Sequence, residues 1–171
     1  MGKIFESVES LRDHVVSGGF RLVVTSGGFD PMHVGHLRCL INSSEVADRI
    51  GDDVRLAVIV NGDGFLLRKK GYAFMPEAER LEIIAGVRGV DYVVPWDDGS
   101  QTVTGALAIL KPIAFTKGGD RDSSGNVPEF DLCQSIGANV IFNVGGGKIQ
   151  SSSELVAAIK NAKRESNNQG Q

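Results

Sequence analysis

The sequence predicts an α/β protein: a Rossmann-like open parallel sheet of about five strands, with helices on both faces, in a single domain. Three observations predict it. Short apolar runs such as Leu22–Val24, Val54–Val60 and Tyr92–Val94 alternate with longer stretches of helical spacing, the pattern of repeated βα units. Each run ends in a polar turn that carries glycine, as expected where ligands sit beyond the carboxyl ends of parallel strands. The 171 residues suffice for one domain with a real core.

In order, Ile4 to Val16 has apolar residues at helical spacing and Gly18-Gly19 closes that helix. Arg21–Thr25 is the first strand. The turn Ser26-Gly27-Gly28-Phe29-Asp30-Pro31-Met32-His33 leads into a helix over Leu37–Ile50. Val54–Val60 is the second strand, and the helix before it provides the right-handed crossover that a parallel pair needs. Asn61-Gly62-Asp63-Gly64 follows as a turn, and Phe65–Phe74 reads as a loop around Arg68-Lys69-Lys70. Pro76-Glu77-Ala78-Glu79-Arg80 starts a helix, with proline in the first turn and acids near the positive end. Asp91–Pro95, Pro112–Thr116 and Asn139–Val144 complete the strands, and Thr102–Leu110, Pro128–Ile136 and Glu154–Lys163 the helices. The domain is expected to span 1–165, with residues 166–171 as a disordered tail.

Composition narrows the function classes. Hydrophobic content of 42% and charged content of 23% are those of an ordinary globular chain. A net charge of −3, with Arg68-Lys69-Lys70 as its one basic block, argues against a nucleic-acid partner, which needs a basic face. Cys39 and Cys133 lie far apart with no CxxC, so a reducing cytoplasm is expected rather than a disulfide framework. The start carries no signal-peptide core, and no apolar run approaches membrane-spanning length.

The chemistry concentrates between the first strand and its helix. His33 and His36 are one turn apart and can face one side, at a helix start whose unpaired N–H groups favour an anion. Gly35 between them lets a ligand approach the helix backbone. Two imidazoles can donate to phosphate oxygens as negative charge builds on a leaving group. His33, His36 and Cys39 could also share one helical face as zinc ligands, but no fourth ligand lies at finger-like spacing. Asn61 and Asp63 follow the second strand and fit the same crevice, where they would contact an acceptor, or a plain turn. Lys70 suits a phosphate as a flexible point charge. Arg80 fits either a helical pair with Glu77 or an anion in the cleft. Asp97-Asp98 fits a solvated turn better than a magnesium site. Gly118-Gly119 permits close backbone approach to a flat ligand. The serines at 151–153 with Glu154 fit a helix cap or a second phosphate-binding helix start.

Together these stretches resemble the HxGH nucleotidyltransferase superfamily, the cytidylyltransferase-like enzymes. The resemblance rests on Gly28-Phe29-Asp30-Pro31, His33-Val34-Gly35-His36, Val60-Asn61-Gly62-Asp63, Lys70-Gly71, Glu79-Arg80, Lys117-Gly118-Gly119-Asp120 and Ser151-Ser152-Ser153-Glu154. It spans Lys3 to Lys160 and is nearest to the nucleotidyltransferase domain of ADP-heptose synthases and to glycerol-3-phosphate cytidylyltransferases. It implies attack by an acceptor phosphate on the α-phosphorus of ATP or CTP, with loss of pyrophosphate. By position, His33 and His36 would stabilise the transition state, and Lys70 and Arg80 would hold phosphate. Ser26, Gly27, Gly28, Phe29, Asp30 and Gly35 would line the nucleotide, Lys117, Gly118 and Asp120 would lie near its base, and Ser151 and Ser152 would take the triphosphate tail. A magnesium ion would bridge phosphate oxygens, and the family suggests a homodimer. A phosphorylated sugar or polyol is the expected acceptor. Two alternatives stand beside it: a cofactor adenylyltransferase, weakly supported by Pro31, and a non-catalytic nucleotide-binding protein.

Overall fold

The computed structural model describes residues 1–119, 127–147 and 150–168, with residues 160 and 162–168 as backbone alone. Its elements, in chain order, are β1 (Lys3–Ile4), α1 (Val8–Ser17), β2 (Arg21–Gly27), α2 (Val34–Ile50), β3 (Val54–Asn61), α3 (Asp63–Lys70), α4 (Glu77–Ala85), β4 (Tyr92–Trp96), α5 (Thr104–Leu110), β5 (Ala114–Gly118), α6 (Phe130–Ser135), β6 (Asn139–Val144) and α7 (Ser152–Asn168). The strands form one sheet of order β1-β4-β3-β2-β5-β6, and every pairing is parallel. The order reverses between β2 and β5, and that switch point is where an open parallel sheet leaves a crevice.

The α/β expectation holds, with corrections at β1, α3 and α7. The sheet has six strands, not about five, because residues read as the start of the first helix split in two. Lys3 and Ile4 pair with Tyr92 and Val93, while Ser7 caps α1 through a reciprocal bond with Ser10. Both strand residues are exposed, so an edge strand of this length leaves no alternating pattern to read. The second correction is α3, in residues read as turn and loop. It has no apolar stripe, but Asp63 sits in its first turn, Arg68, Lys69 and Lys70 in its last, and Gly71 closes it at φ 80°. α7 runs to Asn168 rather than ending near Lys163. Residues 169–171 of the expected tail lie outside the described residues.

The two faces of the sheet bury separate cores. Leu22, Val24, Ala57, Ile59, Tyr92, Val94 and Phe115 pack against α1, α5 and α6. Val23, Leu56, Val58, Val60, Val93 and Ala114 pack against α2 and α4. Strands buried on both faces explain the continuous apolar runs of the sequence, and successive residues alternate between the cores. This alternation decides which side each residue at a strand end serves.

Candidate active site

A cavity of about 400 Å³ opens at the carboxyl ends of β2, β3 and β5, over the switch point. Its walls include Ser26, Gly27, Gly28, Phe29, Asp30, His33, Gly35 and His36 from the turn after β2 and the start of α2. Asn61, Lys70, Lys117, Gly118, Ser151 and Ser152 join them from elsewhere in the chain. Fourteen of the predicted site residues thus share one cavity.

The histidines are held by the backbone they cap. His33 is the N-cap of α2, and its Nδ1 accepts from the Gly35 N–H at 3.1 Å. His36 Nδ1 accepts from the His33 N–H at 3.3 Å. A ring nitrogen that accepts carries no proton, so in each neutral imidazole the hydrogen resides on Nε2. That nitrogen is left as a donor for a ligand in the cavity. The rings stack at 3.8 Å between centroids, and Phe29 meets His36 edge-on at 5.2 Å. Burial, then the neighbouring His33 and Lys70 charges, pushes the His36 pKa down to about 4. Burial lowers His33 as well, against the pull of Glu154. Both rings are therefore neutral donors near pH 7. A side chain at Gly35 would place its Cβ 3.0 Å from the His33 ring, so this glycine makes room for the imidazole itself.

Asp30 works from behind this loop. Its carboxylate accepts from the Phe74 N–H at 2.8 Å and the Met75 N–H at 2.7 Å, and pairs with Lys70 Nζ at 2.9 Å. Burial raises its pKa, but the bonds from Phe74, Lys70 and Met75 outweigh that and hold the carboxyl below its usual range. Lys70 also donates to the Asp30 carbonyl at 2.8 Å. The salt bridge parks the ammonium at the cavity wall, one fifth exposed.

Two predicted residues lie elsewhere. Arg80 is fully buried. Its Nε donates to Met75 O at 3.0 Å, Nη1 to Gly28 O at 2.9 Å and Asn61 O at 2.6 Å, and Nη2 to Asp63 Oδ1 at 2.5 Å. A guanidinium occupied in this way braces the ends of β2 and β3 and does not reach the cavity to hold an anion. Asp63 is its ion-pair partner, and its other oxygen accepts from the Glu77 N–H at 3.3 Å, so it does not face an acceptor. Asp120 lies outside the described residues. A Cβ on Gly119 would come within 1.8 Å of the Gly146 carbonyl, so this glycine lets the loop after β6 approach closely.

At the start of α7 the cap reading holds. Ser151 Oγ accepts from the Glu154 N–H and Glu154 accepts from the Ser151 N–H, a reciprocal cap. Ser152 Oγ donates to Pro31 O at 2.8 Å and ties this helix to the histidine loop. The cavity therefore has two helix starts on its wall. Among the described residues no three His, Cys, Asp or Glu side chains converge as a metal site. Asp97 pairs with Arg68, and Asp98 accepts from the Ser100 N–H. No helix among the described residues is long and apolar enough to cross a membrane.

Sequence reasoning missed Glu129, Gln101 and Val103 on the cavity wall. Glu129 had no local signal: an acid at a helix start reads as solvated, and only the packing of α6 beside α5 buries it.

Comparison with known proteins identifies the family. The cytidylyltransferase-like family model matches residues 24–163. The bifunctional protein HldE of Hahella chejuensis is 34% identical over 139 residues, 78% of this chain and 27% of that protein. That of Vibrio parahaemolyticus is 30% identical over 162 residues, 94% of this chain and 31% of that protein. The chain thus spans about a quarter to a third of the length of these relatives. The crystal structure of a lipopolysaccharide core biosynthesis protein from Thermoplasma volcanium superposes with a TM-score of 0.56 at 26% identity, covering 73% of this chain and 95% of that one. The chain belongs to the cytidylyltransferase-like family of nucleotidyltransferases.

Proposed function

We propose that this chain transfers a nucleotidyl group from ATP or CTP to a phosphorylated sugar or polyol and releases pyrophosphate. The observation that carries the reading is the pair of imidazoles whose Nδ1 atoms are both occupied by backbone N–H groups. Each neutral imidazole then keeps an Nε2–H donor, and both rings line the cavity at a helix start, with Lys70 on the same wall. Such donors match a triphosphate better than a dehydrogenase cofactor or a structural metal.

In this reading an oxygen of the acceptor's phosphate attacks the α-phosphorus. A new P–O bond forms as the bond from the α-phosphorus to the α,β-bridging oxygen breaks, and pyrophosphate leaves with that electron pair. The nucleophile is already ionised, so no strong general base is required. Catalysis is positioning and charge stabilisation by the two Nε2–H donors, the Lys70 ammonium and the N–H groups of the two helix starts. The described residues do not form a magnesium cage. Magnesium would enter with the triphosphate, keeping most of its waters. The HldE relatives favour a sugar-phosphate acceptor.

The test is pyrophosphate release with magnesium and either ATP or CTP, across heptose 1-phosphate, glycerol 3-phosphate, other sugar phosphates and mononucleotides. Release with a sugar or polyol phosphate is expected. Release with nicotinamide mononucleotide or phosphopantetheine alone would replace this reading with the cofactor enzyme. Tight triphosphate binding without release from any acceptor would favour a non-catalytic role.

A further inference from the structure

The histidines occupy only one side of the sheet edge. Alternation along the strands places Ser26, Asn61 and Lys117 on the other side, in line with Val24, Ile59 and Phe115 of the core under α1, α5 and α6. These three residues end adjacent strands and form a polar row on the cavity wall. Lys117 Nζ donates to Ser26 Oγ at 3.2 Å and lies over the Phe115 ring. Glu129 roofs the row from the start of α6. Its Oε1 accepts from the Val103 N–H at 3.2 Å, which fixes the carboxylate against the segment leading into α5.

Two acceptor atoms here are buried without a hydrogen-bond partner among the described residues: Glu129 Oε2 and Asn61 Oδ1. The residues are only 4% and 6% exposed, and both line the cavity. The Lys117 ammonium stands 3.7 Å from Glu129 Oε2, near enough to balance its charge and too far to bond it. Buried acceptors left unbonded are costly, and on a cavity wall donors from a ligand can complete them. With the charge already balanced, neutral donors fit best: a phosphate would meet the carboxylate, and an ammonium would crowd Lys117.

We propose that Glu129, with Lys117 as its counter-ion and Asn61 on the same wall, is the specificity-determining residue for the acceptor. Its unbonded carboxylate oxygen accepts a hydrogen bond from a hydroxyl of the polyol or sugar phosphate. This rests on the nucleotidyl-transfer reading above and adds to it where each substrate lies. The triphosphate occupies the α2 side of the sheet edge, with the histidines, and the acceptor's hydroxyls occupy the α5 and α6 side.

The test is pyrophosphate-release kinetics on the wild-type chain and Glu129→Gln. The substitution keeps the Oε1 bond to Val103 and places an amide donor where the second oxygen accepted. Glycerol 3-phosphate, hexose and heptose 1-phosphates and their monodeoxy analogues are the probes, with matched thermal melting to verify folding. The acceptor KM is expected to rise about tenfold or more in Glu129→Gln, while the triphosphate KM stays within about twofold. One deoxy analogue should lose about the same factor in the wild type and nothing further in the variant, which a merely structural glutamate would not produce. Unchanged acceptor KM and unchanged deoxy discrimination overturn the inference and leave nucleotidyl transfer standing. A rise in triphosphate KM instead also overturns it, since Glu129 then serves the nucleotide. A wild-type chain that binds triphosphate yet uses no hydroxylated phosphate overturns the inference together with the sugar or polyol acceptor. One that binds neither ATP nor CTP overturns nucleotidyl transfer and the inference together.

Discussion

The histidine loop and the Arg80 cluster lie at the same end of the sheet and put their basic side chains to opposite uses. At the histidine loop each ring spends one nitrogen on the backbone and keeps the other for the cavity. At the Arg80 cluster every nitrogen of the guanidinium is bonded within the protein, to three carbonyls and one carboxylate. A charged residue near a site is therefore not yet a charged residue in it. What decides is how many of its donors the fold has already used.

The largest expected effect comes from Arg80→Ala. It leaves buried carbonyls of Gly28 and Asn61 without donors and should cost about 3–5 kcal/mol of stability by urea denaturation. A variant of unchanged stability and much higher triphosphate KM would show that Arg80 holds an anion after all, and the comparison would collapse.

His36→Ala should leave stability closer to wild type while kcat falls about 10²–10³-fold, the usual loss for one donor to a transition-state oxygen. Steady-state pyrophosphate release measures it, and unchanged turnover would remove His36 from the mechanism.

The pH dependence sharpens the same contrast. The folded pKa of His36, about 4, lies below its ordinary value near 6.5, so the unfolded chain binds more protons in that window. Stability is then unaffected by His36 above about pH 6.5 and falls as pH drops toward 4, by about 2 kcal/mol at pH 5. Lowered His33 adds in the same direction. Urea midpoints at pH 7 and pH 5 should move less in His36→Gln; an equal drop would assign the acid sensitivity elsewhere.

The smallest effect separates the two readings of the α7 start. Ser151→Asp keeps a capping oxygen, so stability should stay within about 0.5 kcal/mol of wild type. The added negative charge should weaken triphosphate binding about tenfold by calorimetry. Binding unchanged by that charge would leave Ser151 as a cap only.

How much of this was legible follows the range of the interactions. The strand, glycine turn and helix around His33 and His36 depend on neighbours within a few residues, and the sequence marks them plainly. The resemblance extended that reading to Lys70, Lys117 and the serines at 151 and 152, which share the cavity. The sequence was ambiguous at Asp63 and Arg80, because the same residue types serve a phosphate site or a buried brace. It carried no sign of Glu129, whose burial depends on α6 packing near α5, and it hid α3, whose helical signals are caps rather than periodicity.

By itself, the sequence determined the parallel α/β class, the place of the histidine turn at a strand's carboxyl end and the family. These follow from hydrophobic period, the conformational freedom of glycine and the fixed φ of proline, and hydrogen bonds between near neighbours. The tertiary structure alone decided which polar groups remain available. Arg80 is consumed by carbonyls at the ends of two strands, and among the described residues Glu129 keeps one buried oxygen unbonded beside Lys117. The physical reason is that a side chain's free valence depends on every group packed around it, and those groups come from distant parts of the chain.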